Sequence, residues 1–166
     1  MATFTVKGPF DVPVKQGKSG RVVTAEQANQ FWENHPSIEG DVGCYVFAFR
    51  AGQGSKPVYV GKATKNFKQE VFTDHKKNKY NEGLATQGKG TPIMYFVMLN
   101  KTAGPVNKKA IDEVESYLIQ SGLAANKNLL NDQKTAVEKW SINGVVRSAH
   151  GKNTNASAGL KKCFGL

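Results

Sequence analysis

Gly43-Cys44-Tyr45-Val46-Phe47-Ala48-Phe49 and, a turn later, Val58-Tyr59-Val60-Gly61-Lys62-Ala63 are the stretches on which the fold turns. Each is a short run of aromatic and β-branched residues. The stretch from Arg50 to Pro57 between them carries two glycines and a proline, so the pair reads as a β-hairpin with a glycine-containing turn over Arg50 to Pro57. A third apolar run, Ile93 to Leu99, reads as a strand buried on both faces. Helical spacing follows the hairpin, from about Lys65 or Asn66 to Lys76, before a polar loop that includes Asn78 to Gly90. Lys108 to Gln120 reads as another helix, stopped by Ser121-Gly122. Without any internal repeat, this order predicts an α+β domain with a small, mainly antiparallel sheet flanked by helices.

Outward from the hairpin the signals thin. Thr3 to Val14 alternates apolar and polar residues with glycine and proline interruptions, as a short edge strand or arm would, and Gln16 to Gly20 is a turn. Thr24-Ala25-Glu26-Gln27 matches a capping box opening a helix through about Glu33, closed before His35-Pro36. Trp140 to Val146 reads as a further strand and Ser157 to Phe164 as a short terminal helix. The chain therefore divides into an N-terminal elaboration over 1–41, a core over 42–132 and a C-terminal strand-helix extension over 133–166.

Composition narrows the function classes. Of the 166 residues, 39% are hydrophobic and 10% aromatic, too many to leave the chain disordered. The longest apolar run, Ile93 to Leu99, is far too short to span a bilayer, so no membrane partner is expected. The first residues hold no basic stretch followed by an apolar one, so a cytoplasmic protein is expected. Cys44 and Cys163 have no cysteine or histidine at metal-ligand spacing, which indicates neither a disulfide framework nor a zinc site. The net charge of +10 is spread along the chain rather than gathered in a tail, which makes a nucleic acid the leading partner. Only Arg21, Arg50 and Arg147 carry the guanidinium fork suited to bidentate phosphate contacts.

Two helices hold candidate chemistry. Around Ile111, at about 100° per residue, Val114, Leu118 and Ile119 form a core-facing stripe and Glu115 falls inside it, whereas Glu113 faces solvent. A carboxylate among core residues needs a cation, a lysine or backbone amides to satisfy it, so Glu115 is either a buried ion-pair member or a metal-binding or acid/base group. In the helix after the hairpin, Lys68, Val71, Phe72 and His75 have the spacing of one helical face.

In this order, Gly43-Cys44-Tyr45, Val58-Tyr59-Val60-Gly61-Lys62-Ala63, Glu115-Ser116-Tyr117-Leu118-Ile119 and Asn128-Leu129-Leu130-Asn131 resemble the GIY-YIG nuclease superfamily over roughly residues 42–132. That pattern has a Gly-Ile-Tyr strand, a Tyr-Ile-Gly strand, a helix with an arginine and often a histidine, a metal-binding glutamate on a later helix, and an asparagine beyond it. The resemblance implies a metal-dependent endonuclease acting on nucleic acid, DNA more than RNA, by a single-metal mechanism. It implies that Tyr45 and Tyr59 bind or deprotonate the attacking water, and that Lys62 lowers a tyrosine pKa or holds a phosphate oxygen. Glu115 would coordinate one Mg2+ or Mn2+, and Asn131 would brace the site by hydrogen bonds.

Cys44 and Val60 replace isoleucines of the pattern with little consequence. Glu70 stands where the arginine is expected, and a carboxylate there would repel the scissile phosphate. Lys68, Lys76 or His75 could supply the missing positive charge, though none offers the bidentate contact. Two other function classes stay open: a degenerate domain that binds nucleic acid without cutting it, and a protein-interaction module on the same scaffold.

Overall fold

The computed structural model describes residues 2–87, 89–101, 104–136, 142 and 154–164. In chain order the elements are β1 (Phe4–Asp11), β2 (Lys15–Gly17), β3 (Gly20–Val22), α1 (Ala25–Asn34), β4 (Gly43–Ala51), β5 (Gly54–Ala63), α2 (Phe67–Glu70), α3 (Asp74–Gln87), β6 (Thr91–Leu99), α4 (Lys108–Ala125) and α5 (Asn155–Phe164). The fold is α+β. A four-stranded antiparallel sheet has the order β1-β6-β4-β5, and β2 and β3 form a separate two-stranded hairpin. Met1–Thr135 is one compact unit and Ala136–Leu166 another, which contains α5. The strand expected for Trp140 to Val146 lies, Ile142 apart, outside the described residues, as do Arg147 and Lys152.

β4 sits in the middle of the sheet, and its residues are buried on both faces. Tyr45, Phe47 and Phe49 join Phe31 and Trp32 of α1 and Phe67, Phe72 and Tyr80 of the segment after the hairpin in one aromatic core. The opposite face is covered by α4, where Val60, Ile119 and Leu129 pack with Val46 and Leu118. Buried Cys44 lies on this side; its thiol donates to the Ile111 carbonyl at 3.3 Å, and burial pushes its pKa up to about 12. It is a core residue with no nucleophilic character.

The hairpin is tighter than its sequence suggested. Ala51 pairs with Gly54 across a two-residue turn, and Gly52 there has a φ of 59°, the left-handed region glycine enters without strain. Pro57 therefore lies inside β5. It is tolerated because β5 is an edge strand, and a register shift between Phe47 and Ala48 falls beside it.

The single helix expected from Lys65 or Asn66 to Lys76 is instead two. The fully buried Tyr80 hydroxyl donates to the Val71 carbonyl at 2.6 Å, taking the acceptor a continuing helix would need. α2 stops at Glu70, and α3 restarts with the Lys77 amide donating to the Thr73 carbonyl at 2.9 Å. Lys68 and His75 therefore do not share a helix face. α3 also runs through Asn78 to Gln87, where a polar loop was expected. It buries little besides Tyr80, Gly83 and Leu84, and is tied down by Asn81, whose side chain accepts from the Val23 amide at 2.7 Å and donates to its carbonyl at 3.1 Å. α4 likewise passes the expected stop at Ser121-Gly122. Gly122 is buried against Leu129, and the helix ends where the Asn126 amide donates to the Gly122 carbonyl at 2.7 Å.

Candidate active site

The two hairpin tyrosines take different positions. Tyr45 is opposite Gly61 in the β4–β5 register, and a Cβ at Gly61 would overlap the Tyr45 ring at Cζ and the hydroxyl. The glycine of the Tyr59-Val60-Gly61 run is thus the space into which Tyr45 fits. Tyr45 is fully buried and its hydroxyl makes no hydrogen bond. Burial, and then the neighbouring Tyr59, raise its pKa well above the ordinary tyrosine value, so it stays protonated. The ring of Tyr59 lies 6.5 Å from that of Tyr45, and its oxygen accepts a hydrogen bond from the Lys76 ammonium, which sits 4.9 Å from the Tyr59 ring centre.

Tyr59 borders a cleft of about 430 Å³ whose walls also include Lys62, Glu70, His75, Lys76, Glu115, Asn131 and Lys134. β5 contributes Tyr59 and Lys62, α3 contributes His75 and Lys76, and α4 contributes Glu115. Of the residues expected from the sequence, Tyr59, Lys62, His75, Glu115 and Asn131 meet here. Tyr45 lies outside the walls, closed off by its burial, and Lys68 points elsewhere, its ammonium 2.8 Å from Glu39. Lys68, on α2 before the break at Val71, does not line the cleft expected of it.

Asn131 grips the exposed edge of β5. Its side-chain oxygen accepts from the Val60 amide at 2.9 Å and its amide donates to the Val60 carbonyl at 2.7 Å. One side chain thereby satisfies both backbone groups of an edge residue and holds Tyr59 and Gly61 on either side of it. Glu70 is also occupied: one of its carboxylate oxygens accepts from the amides of Thr64 and Lys65 at 2.7 and 2.6 Å. It shapes the loop just after Lys62.

Glu115 stands at the centre of an ion cluster. Its carboxylate, only 12% exposed, is 2.7 Å from the Lys134 ammonium and 3.3 Å from that of Lys62. Asp112, one turn earlier on α4, binds the same two ammonium groups, Lys134 at 2.7 Å. Asp112 is not among the residues expected from the sequence, where its signal is its i, i+3 spacing to Glu115. Lys134, from the loop beyond Asn131, carries no sequence signal. Its backbone φ of 60° makes it the single non-glycine residue with positive φ among the described residues, and the Gln120 amide donates to its carbonyl at 2.6 Å.

The cluster sets the charge states. Hydrogen bonds from Lys134, then Lys62, hold the Asp112 carboxyl down at about 2, against an ordinary 3.8. The Asp112 hydrogen bond leads the causes that raise Lys62. Burial opposes the Lys134 charge, but its bonds to Asp112 and Glu115 together outweigh that and raise its pKa. A depressed carboxyl contributes stability above its unfolded value, lost as pH falls through the folded one. Acid titration of wild type beside Asp112→Asn should therefore show melting temperatures that differ at neutral pH and converge between about pH 4 and pH 2. A constant difference across that range would show that Asp112 carries no depressed pKa.

Among the described residues, no group of three or more His, Cys, Asp and Glu side chains is placed to hold a metal ion. A divalent cation here would be held by Glu115, with Asp112 beside it, in place of the Lys134 ammonium, and would take its other oxygens from phosphate and water. That donor set suits magnesium, which commonly keeps several waters and binds through one or two carboxylates plus substrate phosphates. No helix among the described residues is long and apolar enough to cross a membrane. Comparison with known proteins found no matching family model, curated protein or solved structure.

Proposed function

We propose that the chain is an endonuclease of the GIY-YIG type that hydrolyses phosphodiester bonds in nucleic acid, DNA foremost, with one divalent cation. The observation that carries this is the meeting of Tyr59 and Lys62 of β5, Glu115 of α4 and Asn131 beyond it around one cleft. The net charge of +10 favours encounter with a polyanion.

Tyr59, at the cleft wall, binds the attacking water or a phosphate oxygen; this role falls to Tyr59 alone, because buried Tyr45 instead sets the hairpin spacing. Lys62 adds positive charge beside Glu115, and Asn131 keeps the Tyr59 strand edge from moving. Glu115 holds the cation, which when bound supplies Lewis-acid stabilisation of the charge that develops at phosphorus and on the leaving oxygen. Lys134 must give up its bond to Glu115 for this to happen. Lys134→Ala should consequently tighten Mn2+ binding, measured by electron paramagnetic resonance of free Mn2+, by about tenfold or more. Affinity equal to wild type would mean that Lys134 does not compete for Glu115.

Two observations favour a second reading, a domain that binds nucleic acid without cutting it: Glu70 in place of the expected arginine, and the ammonium already seated on Glu115. Incubating the protein with supercoiled plasmid, single-stranded DNA and RNA, each with Mg2+ or Mn2+, separates them. Cleavage of any one supports the nuclease. Salt-sensitive binding with no cleavage of any supports the second reading.

A further inference from the structure

Phosphodiester cleavage in the proposed cleft would need a cation facing the scissile phosphate, and the position where the sequence pattern expects it is here Glu70. The lysines around the cleft differ in what they hold. Lys62 and Lys134 are committed to Asp112 and Glu115. Lys79 is 3.0 Å from Asp132 and Lys77 3.0 Å from Asp74. Lys68, the other lysine weighed for the task, is bound to Glu39 and absent from the cleft walls. Lys76 stands apart. Among the described residues its ammonium faces no carboxylate; its contact is the Tyr59 phenol, by a hydrogen bond to the oxygen and a position over the ring. Glu70 lines the same cleft but is not paired with Lys76; one of its carboxylate oxygens is held by the Thr64 and Lys65 amides.

An ion-paired lysine must break or share its pair to bind a phosphate, whereas an ammonium hydrogen-bonded to a phenol oxygen faces no opposing carboxylate and keeps further N–H donors for a phosphate oxygen. We infer that Lys76, positioned by Tyr59, is the phosphate-binding cation of this cleft and takes over the part of the missing arginine. The consequence is a relocation of the positive charge from α2, where the sequence pattern expects it, to the first turn of α3. The break at Val71 makes this relocation possible: by ending α2 at Glu70 and starting a new helix at Asp74, it brings His75 and Lys76, rather than Lys68, to the cleft.

This inference rests on the nucleic-acid reading of the cleft, and one experiment tests the two separately. Fluorescence anisotropy of a short fluorescein-labelled duplex DNA and of the corresponding single strand is followed across a KCl series, with Ca2+ replacing Mg2+ to hold the substrate uncut. Wild type, Lys76→Ala, Lys76→Arg and a charge control at the β2–β3 hairpin, Lys15→Ala, are compared. Lys76→Ala should weaken binding about ten- to hundredfold at fixed salt. It should also lower the slope of log affinity against log salt by about one ion, a change that a merely structural role would not produce. Lys76→Arg should restore both, and Lys15→Ala should change affinity less than threefold or so, the size expected of a distant surface charge. Should Lys76→Ala melt early, Lys76→Met, which keeps the stem against the Tyr59 ring, takes its place. An unchanged slope in Lys76→Ala or Lys76→Met overturns the inference while leaving the nuclease reading intact. A wild-type protein that neither binds nor cuts either probe overturns both.

Discussion

Gly61→Ala should destabilise the protein by about 3 kcal/mol, at the upper end of what overpacking usually costs. The added methyl would overlap the Tyr45 ring at Cζ and the hydroxyl. The ring has nowhere to go: Tyr45 is fully buried, in the central strand, beside Tyr59. With total stabilities of about 5–15 kcal/mol, a loss of this size removes a large share of the folded state's margin. Chemical denaturation of wild type and variant measures it directly. The same substitution in a Tyr45→Leu background should cost distinctly less, because the clash is with the aromatic ring and not with the backbone. Equal costs in both backgrounds would place the strain elsewhere.

The second large effect is on chemistry. Glu115→Ala should reduce divalent-metal-dependent cleavage by about a thousandfold, comparable to the loss of a key charge-stabilising group in other active sites. The same change should alter stability by only about 1 kcal/mol, since Asp112 still pairs with both Lys62 and Lys134 after Glu115 is gone. Activity and stability thus separate in this variant. A variant that loses activity only because it unfolds would instead show a matching fall in its denaturation midpoint.

How far these features could be read beforehand differs from residue to residue, and the difference is physical. The hairpin was legible because its signal is local: two apolar aromatic runs flank a turn, and the pairing of Tyr45 with Gly61 needs only those two strands. Glu115 was legible because a charged residue falling inside an apolar helical stripe stands out at 3.6-residue periodicity. The capping box at Thr24 was legible for the same reason of locality, and the Thr24 amide does donate to the Gln27 side chain at 3.4 Å.

What could not be read depended on partners distant in sequence. The break after α2 rests on a hydrogen bond from Tyr80 to Val71 that no local pattern announces. α3 looked like a loop because its stability comes from Asn81 gripping Val23 and from three buried residues, not from a broad apolar stripe. The fate of Lys68 was decided by Glu39, and that of Glu115 by Lys134. Lys68 looked available from the sequence until the fold supplied it a carboxylate, and Glu115 until the fold supplied it a lysine. Lys76 is the counter-example, since its partner is the ring and oxygen of Tyr59.

Under the proposed nuclease reading, the cleft around Glu115 cuts phosphodiesters with a divalent cation. That reading is tested most directly by following supercoiled plasmid and single-stranded DNA, with Mg2+ and then Mn2+, under wild type and Glu115→Ala purified in parallel. The expected result is metal-dependent nicking by wild type that disappears in the variant while the variant remains folded. No cleavage by wild type, or equal cleavage by the two proteins, would contradict it.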